Sequence, residues 1–275
     1  MKVSFDVNLL SSFLLYVDHR LQSYGEAFTN YSGLLYPVQT KIAGKSAYST
    51  PFRQLVNDTS ISGANVMSGV YLNGNFVGVG QSGLHAINHD LGTVYFNAAL
   101  PANTSISGRY AIKEFSIEYT NKLEYKLLFD TKYVTNSQFN QTLSGLASDI
   151  KTTPAIFLRP KVTENAGFSF GGLDDNNFKI RAILIADNEF QRVAACNVLK
   201  NMNLRTFNVA SSTPFDYLGN YTGLNYNYNN LNFISGYEPL ITEIKVIDVP
   251  LRGDFQDIGK NIAMVDFTVS TIMRH

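Results

Sequence analysis

Val70-Tyr71-Leu72-Asn73-Gly74-Asn75-Phe76-Val77 sets two short β-forming runs on either side of an Asn-Gly pair. Asn-Gly accepts positive backbone dihedrals, and the type I′ turn it makes matches the twist of a tight hairpin. A second hairpin follows: Leu84-His85-Ala86-Ile87-Asn88, the turn His89-Asp90-Leu91-Gly92, then Thr93-Val94-Tyr95-Phe96. Pro101-Ala102-Asn103 turns the chain into a long strand-like segment over residues 106–119. Tyr110 and Ile112 there have one parity and Phe115, Ile117 and Tyr119 the other, so the pattern predicts a bulge or bend at Lys113-Glu114. Residues 66–120 are expected to form an antiparallel β-rich unit of about five strands.

Upstream, Val7, Leu10, Leu14, Val17, Leu21 and Tyr24 recur at helical spacing, with Asp6 able to cap the first turn and Gly25 able to end it. Phe13, Leu15 and Tyr16 widen the apolar stripe beyond one face. Such a helix either lies between two layers or is shared with a neighbouring subunit. Residues 31–68 are rich in Gly, Ser, Asn and Thr and read as loops and short strands. Downstream, residues 121–150 fit helix or strand equally. Ile156-Phe157-Leu158 and residues 178–186 read as buried strands. Asp187 is placed to cap a helix over 188–203 whose apolar face would be Phe190, Val193, Ala194, Val198 and Leu199. Residues 204–209 read as a short strand, and 240–249 and 261–273 as long ones joined by the turn Arg252-Gly253-Asp254. The fold class is therefore α+β. Its three parts are an N-terminal helix with loops (1–65), the β-hairpin unit (66–120), and a mixed sheet-plus-helix unit with C-terminal strands (121–275).

Composition narrows the function. The 275 residues carry 22 Lys+Arg against 22 Asp+Glu, and only 16% are charged. A neutral surface does not suit a protein that grips nucleic acid or anionic lipid all over. Low net charge also weakens self-repulsion, as suits a surface meant to be covered. The single cysteine, Cys196, rules out an internal disulfide and sits in an apolar helical pattern as a small buried thiol. The apolar stretch from Val7 to Val17 is interrupted by Asn8, Ser11 and Ser12 and lacks a small-residue cleavage site, which argues against a signal peptide. No run approaches the roughly 18 apolar residues of a membrane span. A soluble intracellular product, or part of something assembled inside a cell, is expected, with no membrane partner.

The short motifs favour neither a cofactor nor a metal. Gly78-Val79-Gly80-Gln81-Ser82-Gly83 matches the dinucleotide fingerprint, but that chemistry needs a helix at the last glycine, and a strand follows here. Gly44-Lys45-Ser46 lacks the earlier glycine of a phosphate loop, since Gln39 stands there. His85 and His89 in a strand and turn lie about 13 Å apart, too far to share an ion. Asp174-Asp175-Asn176-Asn177 lacks the acid spacing of a calcium loop and reads as a solvated turn. No catalytic residue emerges, and the chain is read as non-enzymatic. The segment holding Tyr217, Tyr221, Tyr226, Tyr228 and Tyr237 has almost no cations, which removes the funnel that nucleic acid requires. It is too long for an ordinary connection. Protein contact is its favoured role, sugar stacking and a flexible loop being the alternatives. With Phe13 and Tyr16 these tyrosines make up the expected interaction surface.

The strings Val70-Tyr71-Leu72-Asn73-Gly74, Gly83-Leu84-His85-Ala86-Ile87-Asn88-His89-Asp90-Leu91-Gly92-Thr93-Val94-Tyr95-Phe96, Ala99-Leu100-Pro101 and Ile106-Ser107-Gly108-Arg109-Tyr110 together resemble hairpin modules of tailed-bacteriophage virion proteins. The C-terminal strands and helix are similar in outline to neck, head–tail connector and tail-terminator proteins. That resemblance implies a structural subunit of the virion, assembled in the host cytoplasm into a six- or twelve-fold homo-oligomeric ring. Its neighbours would be portal, connector or tail-tube proteins, and DNA could pass through the lumen. Lys179, Arg181, Arg192, Lys200 and Arg205 are the candidates for facing it, a solvated face being the plainer reading. The alternative is a carbohydrate-binding module associated with a baseplate or fibre, with the tyrosine segment as its site.

Overall fold

The structure, a computed structural model, describes residues 5–42, 44–135, 150–161, 164–169, 173–216, 221–249 and 260–274. Two four-stranded antiparallel sheets face each other across an apolar core. One runs in the order β1 (Phe28–Leu34), β8 (Ile106–Lys113), β4 (Gly69–Leu72), β5 (Asn75–Gly78). The other runs β2 (Tyr36–Ile42), β3 (Lys45–Ser49), β7 (Thr93–Phe96), β6 (Leu84–Asn88). Period-two alternation supplies the core: Val70, Val77, Ile106, Tyr110 and Ile112 from the first sheet meet Leu84, Ile87, Val94 and Phe96 from the second. Asn73 and Gly74 form the β4–β5 turn with φ of 48° and 86°, as Asn-Gly predicts. The glycines of Gly78–Gly83 close the β5–β6 turn, and Gly44 and Lys45 lie at the β2–β3 turn.

The sandwich is larger than expected. It begins at Phe28, because β1, β2 and β3 come largely from the stretch 31–68 read as loops and short strands, and it ends at Lys113. At Lys113-Glu114 the chain does not merely bulge. It leaves the sandwich and enters a second sheet as β9 (Ser116–Tyr119).

That six-stranded mixed sheet runs β15 (Leu240–Val249), β16 (Asn261–Arg274), β14 (Leu173–Ala186), β12 (Ala155–Pro160), β9, with β13 (Glu164–Ser169) added to β14. β9 pairs parallel to β12 and the other ladders are antiparallel. Arg181 and Asp266 are register partners joined by two hydrogen bonds of 2.6 and 2.7 Å. Alternation splits the strands between two faces. Ile156 and Leu158 point to the side covered by α1 (Phe5–Ser23) and α3 (Glu189–Lys200). Ala155 and Phe157 point to the other, where Leu127 of α2 (Glu124–Asp130) packs. A parallel pair, β10 (Lys132–Thr135) with β11 (Ile150–Thr153), completes the described strands. Residues 136–149 and the turn at 252–254 lie outside the described residues. Residues 204–209 are not a strand: they lie along the end of β15, with one bridge, Thr206 to Leu240.

α3 is capped by Asn188, whose side chain accepts from the Gln191 N–H at 2.9 Å. Asp187 is spent otherwise, accepting hydrogen bonds from Thr153 and Lys260. α1 is enclosed on nearly every side, and ten of its nineteen residues are buried. Phe13 packs edge-on to Phe267 and Phe207, and Tyr16 stacks on Phe207. The wide apolar girth of α1 is thus used inside the chain, between layers. Phe13→Ala should lower the unfolding free energy by about 3–5 kcal/mol, read as a drop in the denaturant midpoint with unchanged far-ultraviolet circular dichroism.

Candidate functional site

The tyrosine segment folds back onto the chain. Tyr226 bridges Asp58 through backbone hydrogen bonds with Asn57 and Thr59 at 2.9 and 2.7 Å. Its hydroxyl donates to Asp18 at 3.2 Å. Asp18 is buried and already holds Lys113 at 2.8 Å and the Gln22 amide at 3.0 Å. The next residue, His19, donates to buried Asp58 at 2.7 Å and stacks on Tyr228, ring centroids 4.4 Å apart. Asp58 also accepts from the Ser60 hydroxyl at 2.6 Å and the Tyr228 backbone N–H at 3.0 Å. Gly223 approaches so closely that a Cβ there would lie 2.4 Å from the Asn88 amide oxygen, and its φ is +78°. Its carbonyl meets the ring and backbone of buried His89.

Burial pushes the phenols of Tyr221, Tyr226 and Tyr228 up, so these hydroxyls stay protonated. Burial also drives His89 below 6.5, although the carbonyls of Gly223 and Met67 favour its proton. At Asp58 burial pushes the carboxyl up, but hydrogen bonds from His19, Ser60 and Tyr228 outweigh it and hold the group below 3.8. The network joins α1, the sandwich and residues 221–228. It is a clamp.

Five of the seven residues expected at an interaction surface therefore turn inward. Phe13 and Tyr16 are core, and Tyr221, Tyr226 and Tyr228 are held by the clamp or its ring contacts. Tyr237 is half-buried against Phe5, and Tyr217 lies outside the described residues. Among the basic residues considered for a DNA-facing surface, Arg181 is paired with Asp266 and Arg192 with Asp248 and Glu189. Burial pushes the Cys196 thiol up, away from the reactive thiolate. Among the described residues no group of three or more His, Cys, Asp or Glu is arranged to hold a metal ion, and no helix is long and apolar enough to cross a membrane.

The open surface lies on α3. Ala195, Cys196 and Leu199 face the sheet, whereas Phe190, Val193 and Ala194, expected inside, are exposed. Phe190 is 84% exposed. It stands at a cleft of about 420 Å³ between α3, the end of α1 and the β8–β9 crossover. Leu21, Ala27, Ile112, Phe115, Ile156 and Val198 form apolar walls, and Glu114 and Gln191 supply polar groups. The signal in the sequence was present: α3 carries apolar residues on more faces than one sheet can cover.

Replacing Lys113 with Met would leave the Asp18 carboxylate buried without its cation, at a cost of about 3–5 kcal/mol; adding Asp18→Leu should recover most of the loss in urea denaturation. His89 and Asp58 both bind a proton more readily unfolded than folded. Their contributions are complete above 6.5 and 3.8 respectively and drain away as the pH falls through the lower folded values. The denaturation midpoint should accordingly fall between about pH 7 and about pH 5, and by less in His89→Gln. In comparisons with known proteins, no family model and no curated protein matches this chain.

Proposed function

We propose that this chain is a non-enzymatic structural subunit of a tailed-phage virion, acting by assembly into a six- or twelve-fold ring in the neck, head–tail connector or tail-terminator region. The observation that carries this reading is the uncovered apolar face of α3, with Phe190 almost fully in solvent at the mouth of an apolar cleft. Covering one such side chain contributes about 2 kcal/mol, and a ring repeats that gain at every contact. The hairpin pattern over residues 70–110 and the zero formal charge point the same way.

The internal use of the tyrosines favours this reading over the carbohydrate-binding one, because a sugar platform needs a free ring face and Tyr228 already stacks on His19. Size-exclusion chromatography with light scattering of the full chain should give a mass of several copies, alone or with portal or tail-tube protein. A particle that stays monomeric at every concentration and binds neither partner would contradict the proposal.

A further inference from the structure

A second patch of uncovered aromatic groups lies on the β4–β5 hairpin of the sandwich. β5 is an edge strand in which Val77 fills the core, so Phe76 beside it points outward and is 53% exposed. Phe76 stands opposite Tyr71 in the ladder, the rings edge to face at 5.4 Å, and Tyr71 in turn stands opposite Ser107 of β8. Two residues on from Ser107, and so on the same face of the sheet, Arg109 lays its guanidinium over the Tyr71 ring at 5.6 Å. Tyr, Phe and Arg are the side chains most enriched where proteins bind one another.

This patch and the α3 cleft are different surfaces at opposite ends of β8. Tyr71 registers with Ser107 near the start of that strand, whereas Ile112 near its end lines the cleft, roughly 17 Å along. Their charges are opposite. Arg109 is exposed, no acid among the described residues pairs with it, and residues 60–84 around the hairpin hold no Asp, Glu, Lys or Arg. Around the cleft stand the exposed acids Glu26, Glu114 and Glu189. Glu114 accepts only a hydroxyl, from Thr29, and Glu189 shares Arg192 with Asp248. Two different, complementary patches on one chain make a head-to-tail contact, the kind that generates rings.

We infer that the β4–β5 hairpin of one copy seats in the α3 cleft of the next, Phe76 and Tyr71 meeting Phe190 while Arg109 meets the glutamate rim. This pairing rests on the ring reading above and names its interface. Phe190→Lys spoils the cleft and Phe76→Glu spoils the hairpin patch, both at exposed positions of the full chain. Arg109→Glu tests the hairpin side without touching its rings.

Under the conditions in which the wild type assembles, light scattering should show a monomer for Phe190→Lys and for Phe76→Glu alone, both with wild-type melting temperature. Mixing the two should give a mass of two copies and no more, because one intact hairpin then finds one intact cleft; an unfolded variant could not do this. Arg109→Glu should raise the dissociation constant at least tenfold. If any of the three variants keeps the wild-type mass and affinity, or the mixture stays monomeric, this pairing is overturned while the ring reading stands. A wild type that stays monomeric at every concentration, and with portal or tail-tube protein, overturns the ring reading and the pairing together.

Discussion

A carboxylate removed from water must be answered, and Asp18 is answered by three separate stretches of chain. Its own helix sends Gln22, the last residue of the sandwich strand β8 sends Lys113, and the returning segment sends Tyr226. Leaving any of these contacts unmade would strand buried charge or a buried hydroxyl. The sandwich, the mixed sheet and residues 221–228 are therefore held in one arrangement around α1. Asp58 repeats the device beside it, through the next residue of α1, His19, and through Tyr228. Apolar packing supplies most of the adhesion, and the polar clamp sets which surfaces meet.

Once α1 and the tyrosines are consumed internally, the remaining apolar surface is easy to locate. α3 lies on the sheet through a narrow stripe, Ala195, Cys196 and Leu199, and turns Phe190 and Val193 outward. On the far side α2 leaves Tyr125 exposed. Isolated exposed apolar residues are ordinary, but aromatic groups beside an apolar cleft or on one helix mark a surface suited to association. With zero formal charge, little long-range repulsion opposes such contacts.

Local chemistry was legible in the sequence and long-range chemistry was not. Asn73-Gly74 announced its hairpin, and apolar runs announced the strands over 178–186, 240–249 and 261–273, because turns and periodicity act over a few residues; residues 174–177, read as a solvated turn, extend β14 through pairing with β13 and β16. β1 was not placed as a member of the hairpin unit because Phe28–Leu34, Phe-Thr-Asn-Tyr-Ser-Gly-Leu, lacks regular alternation and is ordered by pairing with β8 far along the chain. The helical periodicity of α3 was right but its inner face was misjudged: the largest residue, Phe190, was assumed buried, whereas a close approach to the sheet selects small Ala195 and Cys196. Lys113 lies 95 residues from Asp18, so neither could be read as the other's partner, and the tyrosines looked unclaimed. The same ignorance of distant partners made Phe13 and Tyr16 look like interface.

The central proposal is that this chain completes its surface with copies of itself through the uncovered face of α3. Electron cryo-microscopy of the purified full-length protein tests it most directly. The account predicts closed rings in which a neighbouring copy covers Phe190 of each subunit while α1 and residues 221–228 stay internal to each subunit. Isolated particles with the α3 cleft open to solvent, or rings joined through other surfaces, would contradict it.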